Sequence, residues 1–393
     1  MNHRTAAGSL AAGLVGGVWI ACANPRGPAD VPPAAPPRAP SVSATASPVA
    51  ALDHPDVIRR EAWLMGTLLR VEVAAGDRAA ATAAAEAALR AVEDLERELS
   101  SWREDSDLGR LRRAAPGERV PVAPRTARLV AEAAAWSRRT GGAFDPAVGA
   151  LVDAWDLRGA GRVPAEVELA AARAASGPGR IEVSTDPPFL ARRHPSAWLD
   201  AGGFGKGAAL REAASALVAA GGISALLDFG GQLLAVGDPP AGGWPAAAAH
   251  PSRRDSAVVR LRLRRGSLAT SGASERGIEV DGDRFGHLLD PRTGRPAPAW
   301  GSVTVAADDP LAADAIATAL FVMGPAEGSR WLEESGVDAG AVLLVETERG
   351  VEVRRAGARD GRLSVGPVPE SRASGAADAG TETTERTGED RTT

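Results

Sequence analysis

Tyrosine is absent from this chain of 393 residues, cysteine occurs once, lysine once and histidine five times. A single thiol excludes an intrachain disulfide, so the fold must rest on its apolar core in whichever redox compartment it occupies. Aromatic residues make up 4%, the formal net charge is -5, and no basic cluster interleaved with aromatics occurs. That balance speaks against a nucleic-acid partner. With 45 basic residues and one lysine, arginine holds nearly every cationic position. The missing tyrosine and near-missing lysine point to a GC-rich coding bias rather than to chemistry. No segment repeats at a fixed period. What is present, 44% hydrophobic and 24% charged residues, is ample to bury the core of a sizeable domain.

The first 22 residues read as an export signal. His3 and Arg4 form a thin basic region, Ala6 to Ala21 is apolar and uncharged, and the lone Cys22 follows Trp19-Ile20-Ala21. The apolar stretch is too short for a membrane span. A cysteine directly after such a segment resembles a bacterial lipobox, whose thiol is lipidated, which predicts an exported protein anchored on the periplasmic side of a membrane. Plain secretion and an uncleaved anchor are the alternatives. Residues 23 to 56, rich in Pro, Ala and Ser, have the composition of a tether. Residues 369 to 393, full of Thr, Gly, Glu and Asp, offer little to bury and are expected to be disordered. Residues 57 to 368 remain as the folded domain.

Within that span, helical and strand patterns mix without a regular βαβ alternation, which predicts an α+β fold of mixed or antiparallel sheets flanked by helices. Leu68 to Val73 alternates as a strand, and Ala225 to Phe229, Val258 to Arg264, Val303 to Ala306 and Ala341 to Val345 are further strand-like runs. Arg78 to Leu99 is an alanine-rich helix with apolar positions at Leu89, Val92, Leu95 and Leu99. A second helix spans Thr126 to Arg139 and stops at Gly141-Gly142. Ile278 to Leu289 reads as a hairpin around Asp281-Gly282, a favoured two-residue turn. Asp309-Pro310 caps and opens a helix over Leu311 to Met323.

The only lysine, Lys206, falls in the glycine-crowded run Asp200-Ala201-Gly202-Gly203-Phe204-Gly205-Lys206-Gly207. A compact ammonium retained where arginine is otherwise universal, beside small residues at a helix start, suits a phosphate cradled by backbone amides. A tight strand-to-helix turn with a solvated lysine is the plainer alternative. Asp314 and Thr318 lie four apart and share a helical face. A carboxylate beside a hydroxyl is hard-oxygen ligation suited to Mg²⁺; alternatively Asp314 only favours the helix dipole and Thr318 only packs. His287, at a strand end before the turn Asp290-Pro291-Arg292-Thr293-Gly294, is the candidate general base, unless it merely caps that strand. Asp145, in Thr140-Gly141-Gly142-Ala143-Phe144-Asp145-Pro146, can cap a helix or bond a heterocycle. Thr270-Ser271-Gly272 and Asp228-Phe229-Gly230-Gly231 end apolar strands in small residues, as loops closing on a ligand do.

In order along the chain, Met65-Gly66-Thr67, Ser101-Trp102 with Asp105-Ser106-Asp107, Gly142 to Pro146 with Trp155, Asp200 to Gly207, Thr270 to Gly272, His287 to Gly294 and Ala313-Asp314 to Gly324 closely resemble the ApbE family, the FAD:protein FMN transferases of bacteria. The resemblance runs from Met65 to about Trp331. It implies Mg²⁺-dependent transfer of FMN from FAD to a Thr or Ser hydroxyl of an acceptor protein, such as a subunit of a membrane redox complex, with release of AMP. It also implies that Met65, Trp102, Ala143, Phe144, Asp145, Asp200, Lys206 and Leu288 contact FAD. Gly203, through its carbonyl, and Asp314 and Thr318 would hold the metal, with His287 as base. The chain departs from the family pattern at Ala147, Gly205, Ala208, Arg211, Asp228 and Gln232, all in the pocket wall or the loops flanking the phosphate turn. Two alternatives to the transferase are an FAD pyrophosphatase, with water as acceptor, and a flavin-binding lipoprotein without catalysis.

Overall fold

The computed structural model describes residues 57–273, 277–358 and 361–367. The leader, Cys22, the tether and the acidic tail expected from the sequence lie outside the described residues.

The chain opens with β1 (Ile58–Leu64) and β2 (Thr67–Ala75), followed by α1 (Arg78–Leu99), α2 (Asp107–Arg113), β3 (Val120–Pro121) and α3 (Pro124–Arg139). Next come α4 (Gly149–Ala154), α5 (Glu166–Ala174), β4 (Ile181–Thr185), β5 (Pro188–Arg192), a 3₁₀ turn (Ala201–Gly203) and α6 (Gly205–Ala219). Strands β6 (Gly222–Phe229), β7 (Gln232–Val236), β8 (Trp244–Ala249), β9 (Ala257–Leu263) and β10 (Gly266–Gly272) then run in succession. The hairpin β11 (Gly277–Val280) and β12 (Asp283–Gly286), and the short pair β13 (Leu289–Asp290) and β14 (Arg295–Pro296), precede β15 (Gly301–Ala307). The chain then forms α7 (Pro310–Glu334), β16 (Ala339–Thr347), β17 (Gly350–Gly357) and β18 (Leu363–Pro367).

Eight strands form one sheet in the order β1-β2-β6-β7-β10-β15-β16-β17, every neighbour antiparallel. Because side chains alternate across a strand, the residue set of each central strand divides between two cores. Ala225, Leu227, Phe229, Val303, Val305, Leu343 and Val345 join a core with α1, α6 and α7 on one face. Leu226, Ala306, Val342 and Leu344 turn the other way, against the three-stranded sheet β18-β9-β8 with its buried Trp244. Burial on both faces explains why these strands read as unbroken apolar runs. A third, smaller core gathers Leu151, Trp155, Leu169, Trp198, Ile278 and Leu289. The α+β reading therefore stands, with an antiparallel sheet flanked by helices.

Local signals set the helix ends. Asp77 caps α1 by accepting the Ala80 amide at 2.8 Å, and Ala81, Ala84, Ala88, Val92, Leu95 and Leu99 form its buried stripe. α3 begins two residues ahead of the expected Thr126, since Pro124 occupies a first-turn position where its missing N–H costs nothing. The predicted hairpin is present, and Asp281 and Gly282 both take positive φ, at 54° and 88°, as its two-residue turn requires. It ends at Gly286, and Leu289 belongs to β13 instead. α7 starts on the Asp309 cap, whose carboxylate accepts the Ala312 amide at 2.8 Å. It continues beyond the expected Met323 because Gly324, at φ 80° and ψ 171°, kinks it and Pro325 opens a further helical stretch. α7 is long and apolar enough to cross a membrane, yet its apolar residues are mostly buried within the fold, as in a core helix.

Candidate functional site

The glycine run folds as the sequence suggested, into a tight turn that feeds a helix. Asp200 caps the 3₁₀ turn by accepting the Gly202 amide at 2.7 Å, and Lys206 sits in the first turn of α6. α6 then packs tightly on the start of α7, since a side chain at Gly207 would collide with the Pro310 carbonyl and the Leu311 backbone. That close approach faces the N-terminal amides of α6 toward the first turns of α7. Asp314, 5% exposed, uses it: one carboxylate oxygen accepts the Gly207 amide at 3.2 Å and the other lies 3.7 Å from Lys206 Nζ.

Gly203, Thr318 and Phe144 meet beside this pair. A Cβ built on Gly203 would stand 3.0 Å from Phe144 Cε2 and 3.5 Å from Thr318 Oγ1, so only glycine leaves the space between turn, helix and ring open. Gly205 brings Met65 to the same turn, with the Met65 Cε 3.6 Å from where a Cβ would be. The Asp200 amide donates to the Pro146 carbonyl at 2.8 Å, which fixes the 143–146 loop against the turn. Ala143 and Phe144 are buried in that loop. The structure thus brings Met65, Phe144, Gly203, Lys206, Asp314 and Thr318 together.

Among the described residues no three His, Cys, Asp or Glu side chains gather to hold a metal. A cation at this turn would rest on the Asp314 carboxylate with the Thr318 hydroxyl and the Gly203 carbonyl. Those are hard oxygen donors, and the space that a Cβ at Gly203 would fill adjoins Thr318, so the donor set fits Mg²⁺ better than a softer metal.

Asp145 accepts from the Ser137 hydroxyl at 2.7 Å and the Ala147 amide at 2.6 Å. Burial pushes its pKa above the ordinary carboxylate value, against the opposing pull of those two bonds. It lines a cavity of about 220 Å³ with Val130, Ser137, Ala147, Ile181, Val183 and Leu199, a cavity to which Lys206, Asp314 and Thr318 do not contribute. Leu288 packs partly buried on the main core, and its carbonyl accepts the Ala297 amide at 2.8 Å. His287 is half-buried in the two-residue link between β12 and β13. The turn after it is rigid: Asp290 accepts from the Arg292 amide and guanidinium, and Arg292 also reaches Glu327 at 3.0 Å. These carboxylates hold the Arg292 guanidinium above its already high pKa.

Sequence reasoning missed two groups. Arg158 donates to Ser101 Oγ at 2.7 Å and to Asp200 Oδ2 at 2.9 Å, connecting the Trp102 loop to the glycine turn. Arg211 in α6 bridges Glu132 in α3 and the α7 cap Asp309, all at 2.7 Å, and their hydrogen bonds raise its pKa further. Its departure from the family pattern was the only hint, because a long-range ion-pair network leaves no local periodicity.

With this geometry in view, comparison with known proteins is decisive for the family. The ApbE family model matches residues 65–341. The chain belongs to the ApbE family. The ApbE chain is 34% identical over 282 residues to an FAD:protein FMN transferase of Rhodobacter capsulatus, covering 70% of itself and 53% of that relative, so it spans about half of that protein's length. It is 32% identical to the FAD:protein FMN transferase of Klebsiella pneumoniae (strain 342), over 72% of itself and 83% of the relative. Its ApbE fold superposes on flavin transferase ApbE from Vibrio cholerae with a TM-score of 0.66 at 27% identity, covering 76% of this chain and 97% of that one. Pseudomonas stutzeri flavinyl transferase ApbE, in its apo form, matches with a TM-score of 0.67 at 28% identity, covering 76% of this chain and 94% of that one.

Proposed function

We propose that this protein transfers FMN from FAD to a Thr or Ser hydroxyl of an acceptor protein, with release of AMP and with Mg²⁺ required. The observation that carries the reading is the convergence of Lys206 and the Gly207 amide on Asp314, beside Gly203 and Thr318, at a glycine turn that opens a helix. A helix N-terminus with a lysine in its first turn favours a diphosphate, and a buried carboxylate beside it calls for a cation once phosphate oxygens arrive. Family membership supports the same substrate pair, since the matched relatives carry the name FAD:protein FMN transferase.

In the proposed reaction the acceptor oxygen attacks the FMN phosphorus, a new P–O bond forms, and the bond from that phosphorus to the bridging oxygen breaks, leaving with AMP. His287 takes the proton of the attacking hydroxyl. Lys206 and the amides of the α6 N-terminus offset charge on the diphosphate. Asp314, Thr318 and the Gly203 carbonyl are assigned to Mg²⁺, which when bound supplies electrostatic stabilisation of the phosphate oxygens. Met65, Trp102, Ala143, Phe144, Asp145, Asp200 and Leu288 are assigned to holding FAD. Lipidation of Cys22 would present the enzyme on the periplasmic side of a membrane, within reach of a membrane redox subunit as acceptor.

The test is incubation of the purified protein with FAD, Mg²⁺ and a Thr-bearing acceptor, followed by mass spectrometry of the acceptor and an AMP assay. An FMN adduct with equimolar AMP is expected. AMP with free FMN and no adduct would reassign the protein as a pyrophosphatase, and bound but intact FAD would make it a carrier.

A further inference from the structure

Trp102 is 73% exposed, an unusual setting for the largest side chain. Its backbone is well anchored. Ser100 ends α1, and its hydroxyl accepts from the Trp102 and Arg103 amides at 3.3 Å each, while Ser106 ties back to the Ser100 and Arg103 carbonyls before opening α2. The indole itself faces solvent, and what meets its ring is the Arg158 guanidinium, 4.6 Å from the ring centroid. The same guanidinium lies 4.5 Å from the Trp198 ring and bonds Ser101 and Asp200.

We infer that Arg158 is a positioning residue for the donor substrate: anchored on Asp200 and Ser101, it holds the Trp102 indole in place as a stacking wall beside the glycine turn. This inference rests on the FAD-binding reading proposed above. Three observations carry it. One guanidinium nitrogen donates to both the hydroxyl and the carboxylate, which leaves the rest of the planar group to lie against the indole, a flat contact that a compact ammonium does not reproduce. Arg158 is only 21% exposed at its side chain, so its geometry is set by the fold and is available before substrate arrives. Its carboxylate partner, Asp200, is the residue that caps the glycine turn, so the position of the indole is tied to that of the phosphate cradle. A solvent-facing indole left to itself samples several rotamers, and each must be given up on stacking; holding one in advance lowers the cost of binding a planar heterocycle.

The experiment compares Arg158→Lys, Trp102→Ala and the double variant in steady-state AMP release with FAD, Mg²⁺ and the Thr-bearing acceptor as reagents. Arg158→Lys keeps the charge and loses the planar face. It is expected to raise KM for FAD by roughly five- to tenfold while kcat falls by a smaller factor. In the Trp102→Ala background the same change should move KM by less than about twofold, because Arg158 acts through the indole. Ser101→Ala, which removes one anchor without touching charge, should raise KM in the same direction by a smaller factor. An Arg158→Lys effect that persists at full size without Trp102, or a kcat loss larger than the KM change, overturns the inference and makes the arginine a support of the turn. An unchanged KM overturns it equally. Wild-type protein that neither binds FAD nor yields AMP overturns the functional reading and this inference together, whereas a competent wild type with an indifferent Arg158→Lys variant overturns only the latter.

Discussion

A single proton transfer and a single buried carboxyl give the tests at the scale of the residue. If His287 is the base, His287→Asn keeps the fold and FAD affinity but slows AMP release by roughly a hundredfold or more, the usual size of a general-base contribution. The defect should shrink as pH rises, because hydroxide then takes over activation of the acceptor. Intact turnover with weakened FAD binding would move His287 to the pocket wall. Asp145 is a stability test instead. Its pKa is raised in the fold by burial, so across the range above the ordinary carboxyl value of about 3.9 the folded state binds more protons than the unfolded chain. Stability from this group is therefore full at low pH and is lost as pH climbs through the raised value. Asp145→Asn removes that dependence, so unfolding midpoints measured from pH 4 to 8 should show the wild type losing ground to the variant as pH rises. Parallel curves would show that the Ser137 and Ala147 bonds cancel the cost of burial.

Elements with local causes were legible in the sequence, and long-range arrangement was not. α1 and the Asp281-Gly282 hairpin were readable because a cap, a stripe and a turn dipeptide act within a few residues. The two-residue pair β13 and β14 left no pattern to read, and the order of the main sheet depends on pairings between strands far apart in sequence. At the site, Asp314 and Thr318 were readable as one helical face. That the face meets Lys206 and the Gly207 amide depends on two helices crossing at a glycine, which sequence periodicity does not encode. Arg158 escaped for the same reason: its four partners come from two segments, 101–102 and 198–200, far from it in sequence. The helix crossing carries a prediction of its own. Asp314→Ala should abolish Mg²⁺-dependent AMP release, while FAD binding measured in EDTA falls much less, since Lys206 and the α6 amides remain to meet the diphosphate. Full turnover restored by added Mg²⁺ would show that α7 holds no metal.

The whole molecule joins a fold that begins at β1, Ile58, to a cysteine 36 positions earlier in the chain. Between them, residues 23 to 56 are rich in Pro, Ala and Ser, with few apolar side chains. In the proposed reading the anchor and the site are separate parts of the sequence, so anchoring and chemistry should separate cleanly. The proposed lipidation would need the thiol of Cys22, whereas the proposed site draws on Met65 to Thr318. Cys22→Ala is therefore expected to shift the protein from the membrane to the soluble fraction on cell fractionation, with the rate of AMP release in the soluble fraction unchanged. Unchanged membrane association of the variant would instead assign the anchor to the apolar stretch from Ala6 to Ala21 and leave Cys22 without a role in localisation.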